Sequence, residues 1–141
     1  MMAGHQATAV AIGGRGVLIE GPPGSGKSSL ALALIDRGAV LIGDDGIMLE
    51  SLDGHLVARP HPNTRGLIEV RNLGLLPLPA SAGAAVALLI LLDPAAPRFI
   101  EAAETVSRGG MEVPQVRLWP DSPVLALRAE RALEKFGLGA V

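Results

Sequence analysis

A chain of 141 residues with 49% hydrophobic and only 18% charged side chains is long enough to close a core of its own and too apolar to remain disordered. Its net charge of −2 lacks the bulk basicity of a protein that tracks nucleic-acid phosphates, and the absence of cysteine removes disulfides, thiol nucleophiles and thiolate metal sites. The longest apolar run, Ala84 to Leu92, falls short of the roughly 20 residues that cross a bilayer, and the first residues lack the basic segment of a secretory signal. Neither a nucleic acid nor a membrane is therefore expected as a partner, and the cytoplasm is the expected compartment. Aromatic residues make up only 2%, so the core must be built from Leu, Val, Ile and Ala, which suits a parallel or mixed sheet covered by helices.

In chain order, residues 7–12 predict a short strand, followed by the turn Gly13-Gly14-Arg15-Gly16 and a second strand over 17–20. The loop GPPGSGKS leads into a helix ending near Arg37. Leu30, Ala31, Leu34 and Ile35 share one of its faces, and Gly38 supplies its stop. Residues 40–43 predict a buried strand ending in Asp44-Asp45. Gly46 is expected to turn the chain into a strand over 47–50, with Asp53-Gly54 as a hairpin signal before 56–59. Residues 60–66 read as a loop and 67–76 as a short strand or turn. Residues 86–92 read as a central strand buried on both faces. The stretch 98–113 fits either a helix broken at Gly109-Gly110 or two strands joined there. Residues 116–119 predict a strand, and Asp121 or Ser122 a cap for a last helix running to about Phe136. No repeat or linker divides residues 1–141, so a single domain is expected: an α/β fold with a mixed sheet and few helices.

Gly21, Pro22, Pro23, Gly24, Ser25, Gly26, Lys27 and Ser28 satisfy G-x-x-x-x-G-K-[ST] between an apolar strand and a helix. Backbone N–H groups converging from such a loop cradle phosphates, and the helix N-terminus adds positive potential at the same place. Lys27 reaches the β- and γ-oxygens and the Ser28 hydroxyl ligates Mg²⁺, with Ser29 beside it. ATP and Mg²⁺ are therefore the expected cofactors. Asp44 and Asp45 end the next strand, where open α/β sheets build their sites. One carboxylate can hold the metal while the other accepts a proton from an attacking hydroxyl; a plain Asp-Asp-Gly turn is the alternative. Glu69 and Arg71 point to one face of a short strand, and their spacing fits either a site or a surface ion pair. Arg65 or Arg71 is a further source of positive charge.

Three blocks, GPPGSGKSSLALALIDRGAVLIGDD, PNTRGLIEVRNLGLL and the closing strand and helix around VPQVRLWP, together resemble the catalytic domain of bacterial HPr kinase/phosphorylase, in the short form found in alphaproteobacteria. The resemblance implies transfer of phosphate from ATP to a serine of HPr, the carrier protein of the sugar phosphotransferase system, in a regulatory role. It also implies assembly as a homo-oligomer, a hexamer in the family. Carried onto matching positions, it makes Lys27 a phosphate contact, Ser28 a metal ligand, Asp45 the proton acceptor, Asp44 its neighbour near the metal and Glu69 a second metal-linked carboxylate. His5 resembles an active-site histidine of the family, with the spacing to the loop altered by one residue. The family's usual N-terminal domain has no counterpart in these residues. LPLPASAGAAVAL stands where the family carries a charged stretch with an active-site arginine, and WPDSPV replaces a basic element associated with dephosphorylation. The resemblance thus implies a kinase with at most residual phosphorylase activity. Two other readings of the loop are a small-molecule kinase, for which no arginine-rich lid is visible, and a non-catalytic nucleotide-sensing module, against which the Asp pair argues.

Overall fold

The computed structural model describes residues 2–140. Its elements are β1 (Met2–His5), β2 (Thr8–Ile12), β3 (Arg15–Glu20), α1 (Lys27–Asp36), β4 (Val40–Gly43), β5 (Ile47–Leu52), β6 (His55–Pro60), β7 (Leu67–Val70), β8 (Gly74–Pro77), β9 (Ala84–Leu92), β10 (Glu104–Arg108), β11 (Met111–Leu118) and α2 (Leu125–Phe136). The fold is mixed α/β: a curled sheet carries nearly all the strands, and two helices pack on it.

The strand β9 organises the sheet. It pairs in parallel with β3 through residues 86–91 and with β11 through 89–92, while its first two residues pair antiparallel with β6. From β3 the sheet continues to β2 and then β4, and from β6 to β5 and β1. Strand alternation divides the apolar run of β9 between two cores. Leu88 and Ile90 join Val17, Ile19, Leu30, Leu34 and Leu133 under the helices. Leu89 joins Leu18, Ile42, Leu49, Leu56 and Val113 on the opposite face, where β5 and β6 curl over. Both faces of the run are covered, as its lack of polar alternation requires.

Three hairpins close through two-residue turns with both central residues at positive φ: Gly13-Gly14, Asp53-Gly54 and Gly109-Gly110. These are the turns whose twist matches that of the flanking strands. The ambiguous stretch 98–113 is thereby resolved in favour of two strands, β10 and β11, joined at the glycine pair.

Several expectations need correction. The strand expected at 116–119 begins at Met111 and ends at Leu118, because pairing with β10 extends it backwards. Neither Asp121 nor Ser122 caps α2: the cap is Val124, and no side chain bonds there. Ser122 instead closes the preceding turn, its hydroxyl accepting from the Val124 amide at 3.2 Å. The turn expected at Gly46 does lie between β4 and β5, and its left-handed residue is Asp45, at φ 59. The strand β1 carries no strong sequence signal, since three of its four residues are exposed; it forms by pairing with β5. Among the described residues no helix is long and apolar enough to cross a membrane.

Candidate functional site

Parallel pairing aligns the carboxyl ends of β3, β9 and β11. The crossover through α1 skips one place, leaving β2 between β3 and β4 and antiparallel to both. Because β2 reverses direction twice over, β4 points its own carboxyl end the same way, which is where such sheets collect their sites.

At this edge β3 gives way to the loop Gly21–Gly26, in which Gly24 and Gly26 take φ values of 78° and 101°. The N-terminus of α1 carries neither a side-chain cap nor an acidic residue in its first turn. Its first N–H groups, which have no intrahelical acceptors, are left with their positive potential for a ligand. The Lys27 ammonium folds back over the loop, donating to the carbonyl oxygens of Gly21 at 2.9 Å and Pro22 at 3.2 Å. The Ser25 hydroxyl oxygen is buried without a hydrogen-bond partner. Uncapped amide donors, a cation within reach and a hydroxyl without a protein partner are groups that an anion could engage.

A cavity of about 510 Å³ lies beside the loop, lined by Gly21 to Gly24, Gly26 to Ser29, Thr8, Glu20, Asp45, Glu69 and Arg71 among others. Asp44 stands just behind it as the acceptor that ties four elements together. The hydroxyls of Ser28 and Thr8 donate to one of its oxygens at 2.6 and 3.1 Å, and the Glu69 amide donates to the other at 2.8 Å. The fully buried Thr8 also accepts from the Asp45 amide at 3.3 Å, which secures that residue's left-handed backbone. Asp45 lines the cavity, and its carboxylate enters no side-chain hydrogen bond among the described residues. Two adjacent aspartates are thus made unlike by their surroundings, one engaged by three donors and the other open.

His5 does not line the cavity. Its Nε2 lies 2.7 Å from the Glu20 carboxylate, which does line it, and the Arg108 guanidinium grips the same carboxylate through two bonds of 2.7 and 3.0 Å. Burial pushes the Glu20 carboxyl up, but hydrogen bonds from Arg108 and His5 and their charges outweigh it and hold the group below the usual carboxylate range. The hydrogen bond to Glu20 correspondingly raises Arg108. Sequence reasoning missed Thr8, Glu20 and Arg108. A lone Thr at the start of an apolar strand and a charged residue directly before the loop were the available signals; Arg108, 88 residues from Glu20, had none.

Glu69 and Arg71 both face the cavity and form no ion pair with each other among the described residues, whereas Arg65 is exposed and stays outside. No three His, Asp or Glu side chains of the described residues gather closely enough to hold a metal alone. Mg²⁺ does not need such a cage: it takes one or two carboxylates and completes its shell with water and substrate phosphates. Ser28, Asp44 and Glu69 are the side chains here that could contribute to such a shell.

Fold and site together define a mixed α/β protein with a glycine-rich loop and an acidic cavity at the carboxyl edge of its sheet. Residues 2–88 match the sequence model of the HPr Serine kinase C-terminal domain, and the chain belongs to this family. It is 45% identical over 67 residues to an HPr kinase/phosphorylase of Clostridium beijerinckii and 43% identical over 70 residues to one of Mycoplasma mycoides. These stretches are 48% and 50% of this chain but only 22% of either relative, so the chain matches less than a quarter of their length. The solved structure of the Hpr(Ser) kinase/phosphatase from Coxiella burnetii aligns over 94% of both chains, with a TM-score of 0.83 and 26% identity.

Proposed function

We propose that the chain is a single cytoplasmic kinase domain that transfers the γ-phosphoryl group of ATP to a serine of HPr, and so serves regulation of the phosphotransferase system. The observation that carries this reading is the 2.6 Å contact between the Ser28 hydroxyl and Asp44. It joins the start of the loop helix to the aspartate pair, so that triphosphate and acceptor serine meet in one cavity.

The loop amides and Lys27 hold the β- and γ-phosphates. Ser28, Asp44 and Glu69 are the residues that would hold Mg²⁺, which supplies neutralisation of phosphate charge. Asp45 takes the proton of the serine hydroxyl as its oxygen bonds to the γ-phosphorus. The bond from that phosphorus to the bridging oxygen breaks, and its electron pair leaves with ADP. Asp45 is the base in this reading because its carboxylate is left open, whereas the oxygens of Asp44 are already engaged by three donors. Arg71 adds positive charge on the far wall. His5 acts through Glu20 and not by direct contact with substrate. The names of the relatives support HPr as the acceptor, and kinase action is favoured over its reversal because the basic element before the last helix is replaced by WPDSPV.

Incubation with labelled ATP, Mg²⁺ and either HPr or small acceptors tests this. Label on a seryl residue of HPr, abolished by Asp45→Asn, supports the proposal. Label on a nucleotide or sugar shows a small-molecule kinase, and nucleotide binding without turnover on any acceptor shows a sensing module.

A further inference from the structure

The glycine-rich loop has a second side. Opposite the carboxylate cavity lies a cleft of about 450 Å³, lined by Pro22, Pro23, Gly24 and Ser25 of the loop, Pro94 and Pro120 from the strand ends, and Asp121. The sheet order explains it. The loop leaves β3 in the middle of the carboxyl edge, β2 and β4 flank it on one side, and β9 and β11 flank it on the other. Pro94 follows β9 and Pro120 follows β11. Three loop residues, Pro22, Pro23 and Gly24, line both hollows, so a ligand gripped by the loop can extend across it into either.

The chemistry of this second hollow differs from that of the first. Four prolines give it flat, apolar walls without N–H groups. The indole N–H of the adjoining Trp119 is already spent on the Ala96 carbonyl at 2.6 Å. Asp121, exposed on the rim, is its one charged group, and an ionised carboxylate only accepts hydrogen bonds. The matching ligand is a planar ring with apolar faces and an amino donor on its edge.

We infer that this proline-lined cleft seats the base of the bound nucleotide, and that Asp121 accepts a hydrogen bond from the base's exocyclic amino group. The inference rests on the nucleotide reading of the loop. It divides one ligand across the loop, with the transferable phosphate toward Asp45 and the base toward Asp121. It also supplies a base site that the sequence did not reveal, because no aromatic residue adjoins the loop along the chain.

The test compares equilibrium binding, with Mg²⁺ present, of ATP, purine riboside triphosphate (which lacks the amino group) and inorganic tripolyphosphate to the full chain and to Asp121→Ala. Asp121 is exposed and makes no contact in the core, so the variant is expected to fold. Wild type is expected to bind ATP several-fold more tightly than purine riboside triphosphate, because a hydrogen bond to a charged acceptor at a partly open site is worth about three- to tenfold. In Asp121→Ala that difference should vanish, while tripolyphosphate affinity stays unchanged. Equal affinity of wild type for ATP and tripolyphosphate, or an amino-group preference that survives in Asp121→Ala, overturns the base assignment and leaves the phosphate loop standing. Failure of all three ligands to bind overturns both.

Discussion

Asp45 offers a way to separate backbone strain from chemistry at one position. It sits at φ 59 directly after β4, in a region that costs an ordinary L-residue about 1–2 kcal/mol and costs Asp or Asn less, as their enrichment there shows. Asp45→Ala keeps the left-handed backbone and loses that relief, so it should destabilise the fold by about 1 kcal/mol, offset by a few tenths as one of several neighbouring negative charges is removed. Asp45→Gly removes the left-handed penalty but adds about 0.5–1 kcal/mol of chain entropy to the unfolded state, leaving it near or slightly above wild type. Glycine should therefore exceed alanine by about 1 kcal/mol, the reverse of their order inside a regular strand or helix, or about 3–4 °C in melting temperature for a chain of this size. Asp45→Asn should match wild-type stability. All three variants should bind Mg-ATP within about twofold of wild type and lose phosphoryl transfer by about 10²–10⁴, the usual contribution of a positioned base. Denaturant titration, nucleotide binding and transfer to HPr measure the three quantities. Transfer at the wild-type rate in Asp45→Asn, or an alanine variant as stable as the glycine one, would refute the reasoning.

Other variants probe the frame around the site. A Cβ on Gly16 would stand 2.9 Å from the Ala85 carbonyl oxygen and 3.2 Å from that of Ala84; both atoms are backbone, so Gly16→Ala should cost about 2–3 kcal/mol in a denaturation midpoint. Ile90 is fully buried in the central strand, and Ile90→Ala should cost about 3–4 kcal/mol by the same measurement. Because the folded Glu20 carboxyl lies below its ordinary value of about 4.5, its contribution is fully present above that pH and is lost as pH falls through the lower folded value. Glu20→Gln should then destabilise the protein by about 1–2 kcal/mol at neutral pH, leaving Arg108 without its partner, and should flatten the acid limb of a stability–pH curve. Acid limbs that run parallel in the two proteins would remove Glu20 from the account. Ser28→Ala should weaken nucleotide binding by about tenfold with Mg²⁺ present and hardly at all in chelator, as read by calorimetry.

Local chemistry alone determined much of this protein. The glycine and lysine pattern at Gly21–Ser28, the hairpin turns at Gly13-Gly14 and Asp53-Gly54, the apolar run of β9 and the aspartates ending β4 could all be read from residues adjacent in the chain, because turns, strand periodicity and anion-binding loops obey short-range sterics. Tertiary structure decided what depends on distant partners. It placed β2 between β3 and β4, turned Asp44 into a hub and left Asp45 open. It also brought Arg108 to Glu20, moved His5 one residue back from the cavity and opened a proline-lined cleft between the ends of β9 and β11. Two neighbouring carboxylates look alike in sequence. Only the donors that folding delivers, from Thr8, Ser28 and the Glu69 amide, make one a scaffold and leave the other without a side-chain hydrogen bond.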